Sequence, residues 1–148
     1  LELLFSGPSL RTFDLQVRLT PRSAFESARI RRIIRTLKQH SAVKKGAALK
    51  GIDDPSKVSN LLLGTPDVFI LKYLRPGGKE EIKGVMKAKT CALTSIQVDY
   101  TGEAGRWAAY SYDSQPITTV LTLSFAELVP IYDIDYINNG FAQDDVGF

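Results

Sequence analysis

The chain has 148 residues, of which 44% are apolar and 24% charged, and a formal net charge of +3. This is enough chain for one domain with a real core, and the composition is that of a globular fold rather than a disordered or collagen-like one. The mild positive charge permits acidic partners without demanding nucleic acid; a single cysteine excludes an intrachain disulfide and, with a single histidine, argues against a structural zinc site.

Gly7-Pro8 marks a turn. After it, Phe13, Leu15, Val17 and Leu19 alternate with Asp14, Gln16 and Arg18, the period of a half-buried strand. Pro21 lacks the amide a central strand needs and ends it. Ser23 and Glu26 form a capping box that opens a helix over about residues 23–40. Ile30, Ile33, Ile34 and Leu37 make its apolar stripe, and Arg31, Arg32, Arg35 and Lys38 fall on the opposite side. Arg35, Lys38 and His40 also suit the negative end of the helix dipole. One face is predicted to pack on a sheet and the other to meet solvent or a neighbouring protein.

Residues 41–66 are the least regular stretch. A loop of that length in a compact domain is unusual, and Leu61, Leu62 and Leu63 argue against full solvation. The segment reads as an arm that orders against something. Val68, Phe69, Ile70 and Leu71 predict a strand over 67–74 buried on both faces. Arg75-Pro76-Gly77-Gly78-Lys79 follows as a hairpin turn. Return and third strands are expected over 81–89 and 92–101, with Cys91 a small buried residue before the latter. Residues 106–112 bring in Trp107, Tyr110 and Tyr112. In the last long strand Leu121, Leu123 and Phe125 alternate with Thr122, Ser124 and Ala126. Beyond Pro130 the pattern weakens.

Few residues carry recognisable chemistry. No glycine-rich phosphate loop is present. Asp133, Asp135, Asp144 and Asp145 lack the spacing of a calcium loop and read as solvated surface. Glu80, Glu81 and Glu103 have no partner at a spacing for acid–base work. No catalytic, cofactor or metal site is therefore expected, and the chain is not expected to be an enzyme. The candidate interface residues are Arg31, Arg32, Arg35 and Lys38 on the helix and Leu61, Leu62 and Leu63 in the arm. The basic helix face is also suited to phosphates. However, no preceding helix makes a helix-turn-helix, and the strands lack an RNA-recognition pattern of aromatics. No apolar run reaches the roughly 20 residues of a membrane-spanning helix.

Several runs, by their order and separation, resemble the tube domain of baseplate tail-tube initiators and tube caps of contractile-tailed, T-even-like bacteriophages. They are Phe5-Ser6-Gly7-Pro8, Arg11 before the first strand, and Leu19-Thr20-Pro21-Arg22-Ser23 with the helix that follows. The closing strand from Pro116 through Leu121-Thr122-Leu123-Ser124-Phe125-Ala126-Glu127-Leu128 completes them. The resemblance spans about residues 5–135. It implies an α+β, mainly β fold: an antiparallel β-sandwich or partial barrel of the tail-tube type, flanked by one α-helix. The tube domain would occupy 1–135, with the 41–66 arm inside it and 136–148 as a C-terminal extension.

The resemblance also implies a structural virion protein of the tail baseplate, assembled in the host cytoplasm. It would be a homo-hexameric ring that initiates or caps the tail tube, with tail-tube and baseplate hub proteins as neighbours. DNA would pass through its channel without specific binding. No catalytic residue or cofactor comes with the family. The chain is shorter than those proteins, and Leu3-Leu4-Phe5 reads like the interior of a longer sequence. Two alternatives stand beside this reading: a nucleic-acid-binding module using the basic helix, and a tube subunit of a type VI-like secretion or contractile injection system.

Overall fold

The computed structural model describes residues 4–45, 63–102, 105–138 and 145–148. Its elements are β1 (Thr12–Leu19), α1 (Ala24–Ser41), β2 (Lys44–Lys45), β3 (Leu63–Gly64), β4 (Cys91–Asp99), β5 (Thr119–Glu127) and α2 (Asp133–Asn138). The fold is mixed α/β. β5 lies at the centre of a three-stranded antiparallel sheet of order β1-β5-β4, and β2 and β3 form a separate two-residue ladder.

Alternation along the strands sets the register. Phe13, Leu15 and Val17 stand opposite Phe125, Leu123 and Leu121, and these in turn stand opposite Leu93, Ile96 and Val98. All nine therefore share one face. The inward set of β4 changes from odd to even positions between Leu93 and Ile96. A β-bulge at Thr94 absorbs the extra residue, and Thr94 Oγ1 donates to Ser124 O at 3.0 Å. Cys91, Leu93, Leu121, Leu123 and Phe125 are buried on the shared face. Ile30, Ile34 and Leu37 of α1 pack there, and Phe69 meets Phe125 edge-on at 5.8 Å.

α1 begins as its sequence requires. Ser23 Oγ accepts from Glu26 N at 3.3 Å, and Glu26 Oε2 reaches back to Arg22 N at 2.7 Å, one residue earlier than in a standard capping box. Ile33 does not join the packed stripe and is 46% exposed. At 100° per residue it lies about 80° round the helix from the mean direction of Ser27, Ile30, Ile34 and Leu37.

A largely buried ion pair joins three strand termini at one end of the sheet. Glu127 is fully buried. Its Oε1 accepts from Arg11 Nη2 at 2.7 Å and from Lys89 N at 2.8 Å, and its Oε2 accepts from Arg11 Nε at 2.9 Å. Arg11 also donates to Lys87 O at 3.2 Å and lies over the Phe13 ring. One carboxylate thus fixes the end of β5, the approach to β1 and the approach to β4.

The two strands expected over 67–74 and 81–89 do not form. Only the bridges Phe69↔Cys91 and Leu74↔Glu81 are present. Phe69 and Leu71 turn inward, whereas Val68 and Ile70 are 55% and 68% exposed. With no layer outside them, burial on both faces has nothing to supply it. The turn between them does form: Gly78 N donates to Arg75 O and Arg75 N to Glu80 O, both at 3.0 Å, around Gly77 at φ +71°. β4 ends at Asp99, whose Oδ1 accepts from Thr101 N and Oγ1 at 2.8 and 2.6 Å. Residues 106–112 contribute one bridge, Ala109↔Pro116.

The described end of the chain folds back toward the start of β4. Lys87 N donates to Gly147 O at 2.7 Å, and Tyr136 OH donates to Phe148 O at 3.0 Å. Asp135 and Asp145 are paired with Lys89 and Lys87 rather than solvated. Among the described residues the sheet is open, with unpaired outer edges along β1 and most of β4. Of the arm, only the ends are described. Leu61 and Leu62 lie outside the described residues.

Two outcomes follow for stability. Ile34→Ala should cost about 2–5 kcal/mol in denaturant unfolding, because Ile34 is buried. Ile33→Ala should cost about 1 kcal/mol or less. Burial pushes the Glu127 carboxyl up, but its bonds from Arg11 and from Lys89 N outweigh that and hold it below 4.5. The folded state therefore gains stability above the unfolded pKa and loses it as pH falls through the lower folded value. Glu127→Gln should cost about 3 kcal/mol at neutral pH and remove this acid-dependent part, which thermal melts from pH 7 downward will show.

Candidate interface groove

An open groove of about 800 Å³ runs between α1 and the connection from β4 to β5. Ser27, Ile30, Arg31, Ile34, Arg35 and Lys38 form the helix wall, and Tyr100, Trp107, Pro116 and Thr119 stand opposite. Such a volume is in the range of ligand sites. Helical spacing explains the cations. Arg31, Arg35 and Lys38 fall within about 60° of one another, while Arg32 lies about 60–120° further round. The structure thus brings three of the four expected helix cations to the groove and leaves Arg32 out. Among the described residues none of the three pairs with a carboxylate, and no carboxylate lines the groove.

The opposite wall is held by local bonds. Tyr110 OH donates to Pro21 O at 2.6 Å and its ring stacks on Tyr112 at 5.1 Å. Gln115 N donates to Asp113 Oδ1 at 3.0 Å. Gly102 turns the chain at φ +62°, where a side chain would be strained and would also meet Thr118 at 3.4 Å. Tyr100 and Trp107 remain 42% and 60% exposed. Ser27 lines the groove with only 3% exposure, and its hydroxyl makes no hydrogen bond. It lies near the Tyr112 phenol but outside bonding geometry.

The remaining candidates sit elsewhere. Leu63 is 71% exposed on the two-residue ladder and is not part of the groove. His40 Nδ1 lies 2.6 Å from Asp67 Oδ2, and Lys44 pairs with the other oxygen. The Lys44 bond first, and then His40, hold the Asp67 carboxyl below its usual range. Cys91 is fully buried and burial pushes its thiol up, so it behaves as a packing residue. Among the described residues no group of three or more metal-ligating side chains occurs, and no helix is long and apolar enough to cross a membrane.

A second feature lies on the face of the sheet away from α1. Gln16, Thr122 and Gln97 form one row across β1, β5 and β4, and Asp14, Ser124 and Ser95 form the next. The outer-strand members of both rows are exposed, and Val120, between Arg18 and Asp99 on the same face, is buried.

The helix cations were legible from their spacing. Ser27, Tyr100 and Trp107 were not, because a long turn brings the two aromatics to the helix. No protein-family model matches the chain, and no curated protein is similar to it in sequence.

Ser27→Ala should leave stability unchanged or raise it by about 1 kcal/mol, since it removes a buried hydroxyl that has no partner. A loss of stability on this change in denaturant titrations would show that the hydroxyl is bonded in the free protein.

Proposed function

We propose that the chain is a structural subunit of a tube ring in the tail baseplate of a contractile-tailed phage, with no catalytic role. The observation that carries this reading is the pair of polar rows on the face of the sheet away from α1, exposed on both outer strands. These Thr, Ser and Gln rows lie between two unpaired strand edges. Open edges invite another chain, and an assembly covers them. Val17, Val68 and Ile70 are exposed apolar residues at the margin of the core, and neighbouring copies complete the sandwich or barrel around them. The tail setting and the six-fold number come from the resemblance in the sequence.

In such a ring the polar rows face the channel. They carry hydroxyls and amides and few cations, so they wet the wall without clamping phosphates. Arg31, Arg35 and Lys38 belong to the helix on the other face of the sheet, directed at neighbouring protein. Tail-tube and hub proteins would stack above and below. A contractile injection system would use the same ring without DNA.

A second reading has its own support. Three cations beside two exposed aromatics also suit a single-stranded nucleic acid, which uses charge and stacking together. Light-scattering mass and electron microscopy of the purified chain separate the two. A ring with a central channel is expected. A monomer that shifts oligonucleotides, and loses the shift in Arg35→Glu, would replace the ring reading with the nucleic-acid one. Within a ring, Gln16→Lys combined with Thr122→Lys should leave folding and assembly intact and slow DNA release from the particle, because added cations hold phosphates.

A further inference from the structure

The groove and α2 are complementary in a way that neither satisfies within one copy. The groove offers three cations, two exposed aromatics and a buried serine hydroxyl with no partner. α2 offers the reverse. Ile134 and Ile137 are 54% and 74% exposed, Tyr132 just before the helix is 49% exposed, and Asp133 pairs with no cation among the described residues. The other acid of that helix, Asp135, is held by Lys89 and stays with its own chain.

The two features lie at opposite ends of the sheet. α2 is tied to Lys89, just before β4 starts, by the Lys89 bonds to Asp135 and Pro130 O. Tyr100 and Trp107 of the groove follow the end of β4. The nine residues of β4 separate them by roughly 25–30 Å. α2 therefore does not reach the groove of its own copy while Lys89 holds it.

We infer that the groove receives α2 of a second copy of this chain. Ile134 and Ile137 would enter against Ile30, Ile34 and Trp107, Asp133 would meet the Arg31, Arg35 and Lys38 row, and a polar group of the entering segment would bond Ser27 Oγ. The two surfaces are different, so the contact is heterologous. It generates a ring where the rotation closes and a filament where it does not. The inference rests on the ring reading above and names the contact that builds it. It assigns the helix cations to holding a neighbour rather than a nucleic acid.

Charge exchange in the full-length chain tests it. Arg35→Glu and Asp133→Arg should each weaken self-association roughly tenfold or more, read by sedimentation equilibrium, because each turns an attraction into a repulsion. The double variant should regain association. Ile137→Glu, at an exposed site, should also weaken association while leaving the circular dichroism and melting temperature unchanged. In the associated state the emission of Trp107, the chain's one tryptophan, should move to shorter wavelength, and it should not in Ile137→Glu. Rings that persist in all the single variants would overturn this contact and leave the ring reading standing. A wild type that stays monomeric at high concentration would overturn both. Single variants that dissociate without rescue in the double would overturn the pairing. Unchanged association with lost oligonucleotide binding in Arg35→Glu would give the groove to nucleic acid instead.

Discussion

The buried Arg11–Glu127 pair is the constraint on which the rest of the sheet depends. These residues are 116 positions apart, and their side chains meet where three strand termini converge. A fully buried carboxylate is costly unless its lone pairs are occupied. Here the Arg11 fork and the Lys89 amide occupy them. Arg11 must therefore stand beside β5, and Lys89 must enter β4 at a fixed height. The register Phe13↔Phe125↔Leu93 follows from that point outward. Because the contact closes almost the whole chain, the sheet cannot form from local pieces, and high contact order makes its folding slow compared with that of a helical domain.

A small core follows from a three-stranded sheet with one long helix. Among the described residues the buried hydrophobic core consists of Ile34, Cys91, Leu93, Val120, Leu121, Leu123 and Phe125, while many large apolar side chains stay in solvent. Scattered exposed apolar residues are ordinary. Their coincidence with two unpaired sheet edges is not, because both defects are removed by the same remedy, a second chain. The helix contributes to this surface as well as to the core. Ile34 and Leu37 hold it to the sheet, and the same turns place Arg31, Arg35 and Lys38 along the groove.

Much of the regular structure was legible in the sequence because it obeys simple periods. Alternation located β1, β5 and most of β4, and the capping box at Ser23 located α1. The misses have a common physical cause. Val68–Leu71 looks like a strand by composition, but a strand needs a partner along its length, and the described chain supplies it one residue of pairing. Asp135 and Asp145 looked solvated because their lysine partners lie 46 and 58 positions away. The groove was half legible: periodicity gave its cationic wall, and only the turn at Gly102 gives its aromatic one. The charge of Arg32 made it look equivalent to its neighbours, and its angle on the helix sets it apart.

The bulge at Thr94 has a consequence for how such a chain can change over generations. It switches which residues of β4 face inward, so the strand carries two hydrophobic phases joined by one extra residue. Deleting Thr94 or Ser95 would remove the bulge and leave one regular alternation, with Leu93, Ile96 and Val98 still opposite Phe125, Leu123 and Leu121. A one-residue deletion or insertion between Ile96 and Val98, where alternation is regular, would instead turn the residues beyond it to the other face. Point substitutions on the polar side of the same strand carry no such penalty. Related sequences should therefore tolerate loss of one residue at the bulge and changes of identity at Thr94, Ser95 and Gln97, while other differences in length collect in the connections.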